Sequence, residues 1–188
     1  MSFEVVETRI VHEGWGRFLI ASIRLPDGQI IRREIEDHGS AVAVLPYDEE
    51  RRVALFVSQF RPAAYLTSGD EAVLEIIAGC LEDESQEECA RREAMEEGGL
   101  RLGTLEKLVE ALPIPGISTE RITLYLAPYT IRDHVGDGGG LASEHEAITI
   151  IELPLAELAA MADSGKLMDM KSFACIQTLR IRRPELFT

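Results

Sequence analysis

Several features are scarce or missing in this sequence, and each shortage removes a class of protein. No apolar run approaches the roughly 20 residues that a membrane-spanning helix needs. The opening MSFEVVETRI lacks a basic stretch followed by an apolar core, so no secretory signal is expected there. Cysteine is rare: Cys80, Cys89 and Cys175 make an odd set without a CxxC. That argues against a disulfide framework or a zinc ribbon, and for reduced thiols in the cytoplasm. Positive charge is also in short supply, with 19 Lys and Arg against 33 Asp and Glu and a net charge of −14. Such a balance excludes nucleic-acid backbones and anionic membrane surfaces as natural partners. An acidic protein can still handle phosphates when metal ions stand between its carboxylates and the substrate. No internal repeat, low-complexity tract or interdomain linker is evident.

What is present is the composition of a globular domain. Hydrophobic content of 46% and charged content of 28% are ordinary, which argues against disorder. Residues 17–35 hold two β-rich runs around Pro26, Asp27 and Gly28, a hairpin pattern. AVAVLPYD and RRVALFVSQF follow, so at least four strands precede the first convincing helix. AVLEIIAG (72–79), RITLYLAPY and EAITIIEL are further strand candidates. Ser85 with Glu88 forms a capping box, and Gly98 and Gly99 stop the helix that it starts. A second helix is expected between Pro154 and Gly165. Phe173, Ile176 and Leu179 are spaced to give a third helix its core face. These elements predict a mixed α+β fold with a sheet sandwiched by helices. The glycine-rich HVGDGGGLASEHE (134–146) reads as irregular structure, either a surface loop or a catalytic flap.

The helix after Ser85 poses the sharpest question, because Glu84, Glu87, Glu88, Glu93, Glu96 and Glu97 crowd around it. On a helical wheel Glu97 lies about 40° from Glu93 and Glu96 about 60° to its other side. Cys89, Ala90 and Ala94 share that arc, whereas Arg91, Arg92, Glu84 and Glu88 lie toward the opposite side. A surface helix normally separates small apolar residues from acids. Carboxylates one turn apart repel each other, more so where they are partly buried. A divalent cation would remove that conflict, and hard oxygen donors select Mg²⁺ or Mn²⁺ over zinc. On the residues alone, a solvated acidic face and a metal cage both stay open, with the cage favoured.

EDESQEECARREAMEEGGL resembles the signature of the Nudix hydrolases, G-x5-E-x7-R-E-U-x-E-E-x-G-U with U aliphatic. Glu84, Arg92, Glu93, Ala94, Glu96, Glu97, Gly99 and Leu100 fall on the pattern. The opening glycine departs from it: Ala78 stands six residues before Glu84, and Gly79 comes one residue late. VLPYD, VALFVSQFR, LEIIAG, PIPGISTERITLYLA and LASEHEAI run in the order seen in ADP-ribose and nucleoside-diphosphate-sugar pyrophosphatases, so the resemblance covers nearly the whole chain.

The resemblance implies a Nudix α/β/α sandwich over residues 41–188, preceded by an N-terminal antiparallel β subdomain over 1–40 that mediates a homodimer. It implies metal ligation by Glu93, Glu97 and the Ala78 carbonyl, with Glu96 as a further ligand or a partner of the ligands. Arg92 would orient the glutamates. Glu144 in ASEHE would be the catalytic base and Glu146 a further metal ligand; His145 is a weaker rival base. The family's usual acid after this pair is replaced by Ala147. Arg61 in SQFR resembles an arginine that reaches substrate phosphate or ribose, and Glu120 in STER a residue near the terminal ribose. Arg33 and Glu34 resemble positions that contact nucleotide across a dimer interface, and Trp15 or Phe18 are candidates for base stacking.

The expected activity is Mg²⁺-dependent hydrolysis, with Mn²⁺ as a substitute, of a nucleoside diphosphate linked to another group. ADP-ribose, giving AMP and ribose 5-phosphate, is the first expectation, and GDP-mannose or another nucleotide sugar is the alternative. A nucleotide-sensing module without catalysis is a third reading, disfavoured because Glu93, Glu96 and Glu97 are all retained.

Overall fold

The computed structural model describes residues 2–141 and 147–188, which fall into two compact units. The first unit spans Met1–Ala41 and Ala111–Ile122. It is a three-stranded antiparallel sheet in the order β1 (Glu4–Glu13), β2 (Arg17–Arg24), β3 (Ile30–Asp37). The hairpin expected at Pro26–Gly28 is present, and Gly28 takes φ +88° in its turn. Ion pairs between Arg24 and Glu4 and between Arg17 and Asp37 join strands at opposite ends of β2. β1 itself was not foreseen: its alternation is weak, and all ten of its residues are exposed.

Segment 111–122 returns to run beside β3. Glu36 N–H donates to the Ile117 carbonyl at 2.8 Å, and Thr119 N–H to the Glu36 carbonyl at 3.0 Å. Thr119 Oγ1 donates to Asp37 at 2.8 Å.

The second unit, Val42–Glu110 and Thr123–Thr188, holds the main sheet. Its strands are β4 (Ala41–Asp48), β5 (Val53–Gln59), β6 (Val73–Glu75), β7 (Ile77–Cys80), β8 (Glu106–Ala111), β9 (Ile122–Pro128) and β10 (Thr149–Pro154). The sheet order is β10-β5-β4-β9-β8, with β6 on β5 and β7 on β4. The start of β5 pairs with β4 through Ala54 and Val53, whereas its end pairs with β6 through Val57, Ser58 and Gln59. The strand expected at 72–79 is therefore two short strands. They wedge into the fork between β4 and β5, each satisfying a different partner.

Four helices are described: α1 (Pro62–Ser68), α2 (Gln86–Gly98), α3 (Leu155–Asp163) and α4 (Met170–Arg182). The short α1 has no hydrophobic period to announce it, because it buries nothing. Its first turn starts at Pro62, which needs no N–H there. Val42, Val44, Leu55, Val57 and Ile77 meet Cys89, Ala90 and Ala94 of α2 in one apolar cluster. Side chains alternate along strands, so Ala43, Leu45, Ala54 and Phe56, also buried, belong to the opposite face. α3 packs against α4 and β10. Leu155, Leu158, Ile176 and Leu179 are fully buried there, each contributing about 1.5–3 kcal/mol. Phe173 corrects an expectation: it is 36% exposed, and Ser172 and Cys175 take the inward positions beside Ile176 and Leu179. No helix among the described residues is long and apolar enough to cross a membrane.

Candidate active site

The acidic helix starts where its capping box places it. Ser85 Oγ accepts from Glu88 N–H at 3.2 Å, and Glu88 accepts from Ser85 N–H at 2.9 Å. It ends at Gly99, whose φ of +64° suits only a residue without Cβ strain. Between these caps the helix turns inward the arc that its periodicity predicts. Cys89, Ala90 and Ala94 are buried, and so is Glu97, with 2% of its surface exposed. A buried carboxylate requires donors, and Ala78 N–H supplies one to Glu97 Oε2 at 3.2 Å.

Arg92 gathers the remaining acids. Its Nη1 donates to Glu93 Oε1 and to Glu96 Oε2, each at 2.9 Å. Nε and Nη2 donate to Glu84 Oε1 at 3.0 and 2.7 Å. Arg92 points away from Glu93 on the wheel, yet its long side chain lets the planar fork reach both neighbours. Arg92 thus holds three carboxylates close together on the helix surface. A hard divalent cation matches this donor set. Burial pushes the Cys89 thiol up to about 12, so it stays protonated and offers no thiolate. Among the described residues no three acids, imidazoles or thiols are already converged on one point as a ligand set.

The displaced glycine has a structural reason. A Cβ built on Gly79 would fall 1.7 Å from Glu93 Oε1 and 2.0 Å from Cδ. The Glu93 carboxylate therefore lies against the bare backbone of Gly79, so the glycine that comes one residue late stands where the helix needs one. Gly98 is packed in the same way, with Ile77 Cδ1 at 2.8 Å from its hypothetical Cβ.

The described part of the glycine-rich segment is mounted on α2. Gly139 and Gly140 N–H donate to the carbonyls of Glu97 and Glu96 at 2.9 and 3.0 Å. Val135 N–H donates to the Gly99 carbonyl at 2.9 Å. A Cβ on Gly99 would stand 2.3 Å from the Gly136 carbonyl oxygen. Glycines on both sides allow backbone to touch backbone, and the orphan carbonyls of the helix end are satisfied. Glu144, His145 and Glu146, which follow in this segment, lie outside the described residues.

Arg61, two residues past β5 and the N-cap of α1, donates through Nε and Nη2 to both oxygens of Glu75 at 2.7 and 3.1 Å. Burial disfavours its charge, but the Glu75 carboxylate outweighs that, with Glu97 adding to the field, and holds the guanidinium charged. Glu75 also accepts from Lys171. Sequence reasoning missed Glu75 and Lys171. The one available signal was an acid inside the apolar strand run VLEIIAG.

Arg33, Glu34, Glu120, Trp15 and Phe18 belong to the first unit. Arg33 and Glu34 lie exposed on β3. Trp15 stacks on His38 at 4.9 Å with planes 26° apart. His38 Nε2 stands 3.8 Å from Glu120, and Nδ1 3.5 Å from Glu36. Phe18 sits in β2, opposite Glu36 and His12.

A family profile described as NUDIX domain matches residues 37–169. The chain is 33% identical over 187 residues to a GDP-mannose pyrophosphatase of Cronobacter sakazakii, covering 97% of both chains. It is 34% identical over 188 residues to a GDP-mannose pyrophosphatase of Pectobacterium atrosepticum, covering 95% of this chain and 94% of that one. Among solved structures, a crystal structure titled ADP compounds hydrolase superposes with a TM-score of 0.79 at 14% identity. That match covers 98% of this chain and 96% of the other, a likeness of fold.

Proposed function

The chain belongs to the NUDIX family of hydrolases, and from that premise we propose that it hydrolyses the pyrophosphate bond of a nucleoside-diphosphate sugar, with GDP-mannose as the foremost substrate. One observation carries the reading: Glu97 is buried and held by Ala78 N–H, while Arg92 draws Glu84, Glu93 and Glu96 together beside it. GDP-mannose comes before ADP-ribose because the full-length relatives bear that name. ADP-ribose is the second reading, favoured by the order of sequence segments described above.

Glu93, Glu96, Glu97, the Ala78 carbonyl and Glu146 would hold Mg²⁺, with Mn²⁺ as a substitute. When bound, such ions neutralise the diphosphate and acidify water. The protein's own groups do the rest. Ala78 N–H and Arg92 fix the carboxylates in place. Arg61 donates to a phosphate oxygen. Glu144, assigned from the ASEHE pattern, takes the proton from the attacking water. Water adds to one phosphorus and the bridging oxygen leaves on the other, giving GMP and mannose 1-phosphate. Glu120 and the stacked Trp15 are assigned to the nucleoside or sugar end, and Arg33 and Glu34 to nucleotide contacts across a dimer.

We assign the dimer to the first unit. β1 presents ten exposed residues and, among the described residues, a free sheet edge, with Val5, Ile10 and Val11 exposed along it. A second copy would satisfy that edge.

The test is turnover of GDP-mannose, ADP-ribose and dinucleoside polyphosphates by the purified protein with Mg²⁺, with and without EDTA. GDP-mannose should give GMP at the highest kcat/KM, and EDTA should abolish it. Failure to release a nucleoside monophosphate from any of these compounds would sink the reading.

A further inference from the structure

Glu75 is an acid inside a strand of the core, with 4% of its surface exposed, and it has two cationic partners. Arg61 grips it with a two-pronged fork. Lys171, in the first turn of α4, reaches it from the other side and also donates to Asp169 at 3.0 Å. Asp169 is itself the N-cap of α4, accepting from Ser172 N–H at 3.0 Å and from the Ser172 hydroxyl. The Ser172 hydroxyl accepts in turn from Ile76 N–H at 2.8 Å. A closed polar circuit thus ties the start of α4 to the β6–β7 wedge, which continues through Ile77 to Ala78 and Gly79 under Glu97 and Glu93.

A circuit made only for stability would gain little here, because apolar replacement of a buried charge cluster is often neutral or better. Its output is directional. The fork uses Arg61 Nε and Nη2, and Nη1 has no hydrogen-bond partner among the described residues. The Arg61 side chain is 44% exposed, while its Glu75 anchor is buried. An arginine held by one edge presents its other edge as a fixed donor, a geometry suited to phosphate.

We propose that Glu75 is a positioning residue: braced by Lys171 and the Asp169–Ser172 cap, it locks Arg61 so that the free edge of the guanidinium meets the substrate diphosphate. This rests on the proposed function only in taking that diphosphate as what Arg61 meets. Glu75 touches no substrate; it acts through Arg61. Orientation fixed before binding removes the ordering cost that a freely rotating arginine would carry.

A double-mutant cycle tests the proposal. Glu75→Gln in the wild-type background should lower kcat/KM for GDP-mannose by roughly 10-fold or more, mostly through KM. In an Arg61→Ala background the same substitution should change kcat/KM by less than about 2-fold, since the group it positions is gone. Equal losses in both backgrounds, or no loss in the wild-type background, would overturn it. A purely structural role lowers Tm in both backgrounds alike and produces no such coupling. If Glu75→Gln fails to fold, Glu75→Asp keeps the charge, shortens the reach and is read in the same cycle. Calorimetric binding of magnesium imidodiphosphate, which is not hydrolysed, repeats the cycle without turnover. If the wild type hydrolyses no nucleotide sugar, the proposed function fails, whereas coupling in imidodiphosphate binding still decides the role of Glu75.

Discussion

The carboxylate of Glu93 occupies the space that a side chain on Gly79 would need, 1.7 Å from an ideal Cβ there. The clash would be with the far end of a flexible glutamate, so Gly79→Ala should fold. It should, however, push Glu93 out of its position beside Arg92. We predict a kcat loss of about 100-fold, or about 2.7 kcal/mol, with Tm nearly unchanged. Circular-dichroism melts and initial rates at saturating Mg²⁺ check this; wild-type turnover in the variant would remove Glu93 from the catalytic account.

Glu97→Gln keeps the shape and the hydrogen bond from Ala78 N–H but removes a buried charge. Metal-ligand chemistry predicts a kcat reduction of at least about 100-fold with the fold intact, together with a raised Mg²⁺ requirement. Glu144→Gln should reduce kcat by about 10²–10⁴-fold without that change in Mg²⁺ dependence, as expected of a base. Rate measurements over a Mg²⁺ series separate the two: an unchanged Mg²⁺ requirement in Glu97→Gln contradicts its assignment as a ligand, and a wild-type kcat in Glu144→Gln contradicts the base.

Gly138 adopts φ +63°, and a Cβ there would stand 2.7 Å from the Glu97 carbonyl, Gly99 N and Ile150 Cδ1. Two of those three atoms are backbone and have little room to yield. Gly138→Ala should therefore cost about 1–3 kcal/mol of stability and loosen the mount of the glycine-rich segment on α2. Scanning calorimetry should show a lowered Tm, with kcat reduced even at temperatures where the variant is fully folded.

Glu152 sits among Arg51, Tyr129 and His134, with Asp48 on the other side of Arg51. The Arg51 hydrogen bonds, helped by Tyr129 and opposed by burial, draw its carboxyl from 4.5 down to about 2. A depressed folded-state value means the stabilisation is complete above 4.5 and drains away as pH falls toward 2. The Tm gap between wild type and Glu152→Gln should accordingly be wide at about pH 6 and shrink by about pH 3. A gap independent of pH would show that Glu152 acts through packing alone.

Local chemistry explains what could be read in advance. The span of α2 follows from Ser85, Glu88 and Gly99, because caps are decided by groups within one turn of each other. Its inward acids follow from a periodicity that Glu97 obeys even at the cost of burial. The hairpin at Gly28, the helix after Pro154 and the helix that carries Ile176 and Leu179 are likewise short-range matters. Weak local signals explain the omissions. β1 is exposed along its whole length, and α1 buries nothing, so neither displays a strong hydrophobic period.

The sequence by itself determined the mixed α+β class, the acidic helix and the resemblance that its signature carries, since these depend on neighbours a few positions apart. Only the tertiary structure decided that β6 and β7 split a single apolar run between two partner strands. Only it brought Glu75 to Lys171 across 96 positions and set Gly99 against Gly136. The physical reason is that a buried charge or a bare backbone contact is tolerable only if a distant segment supplies its complement. That supply depends on how the sheet forks and where α4 packs against it, which no local pattern encodes.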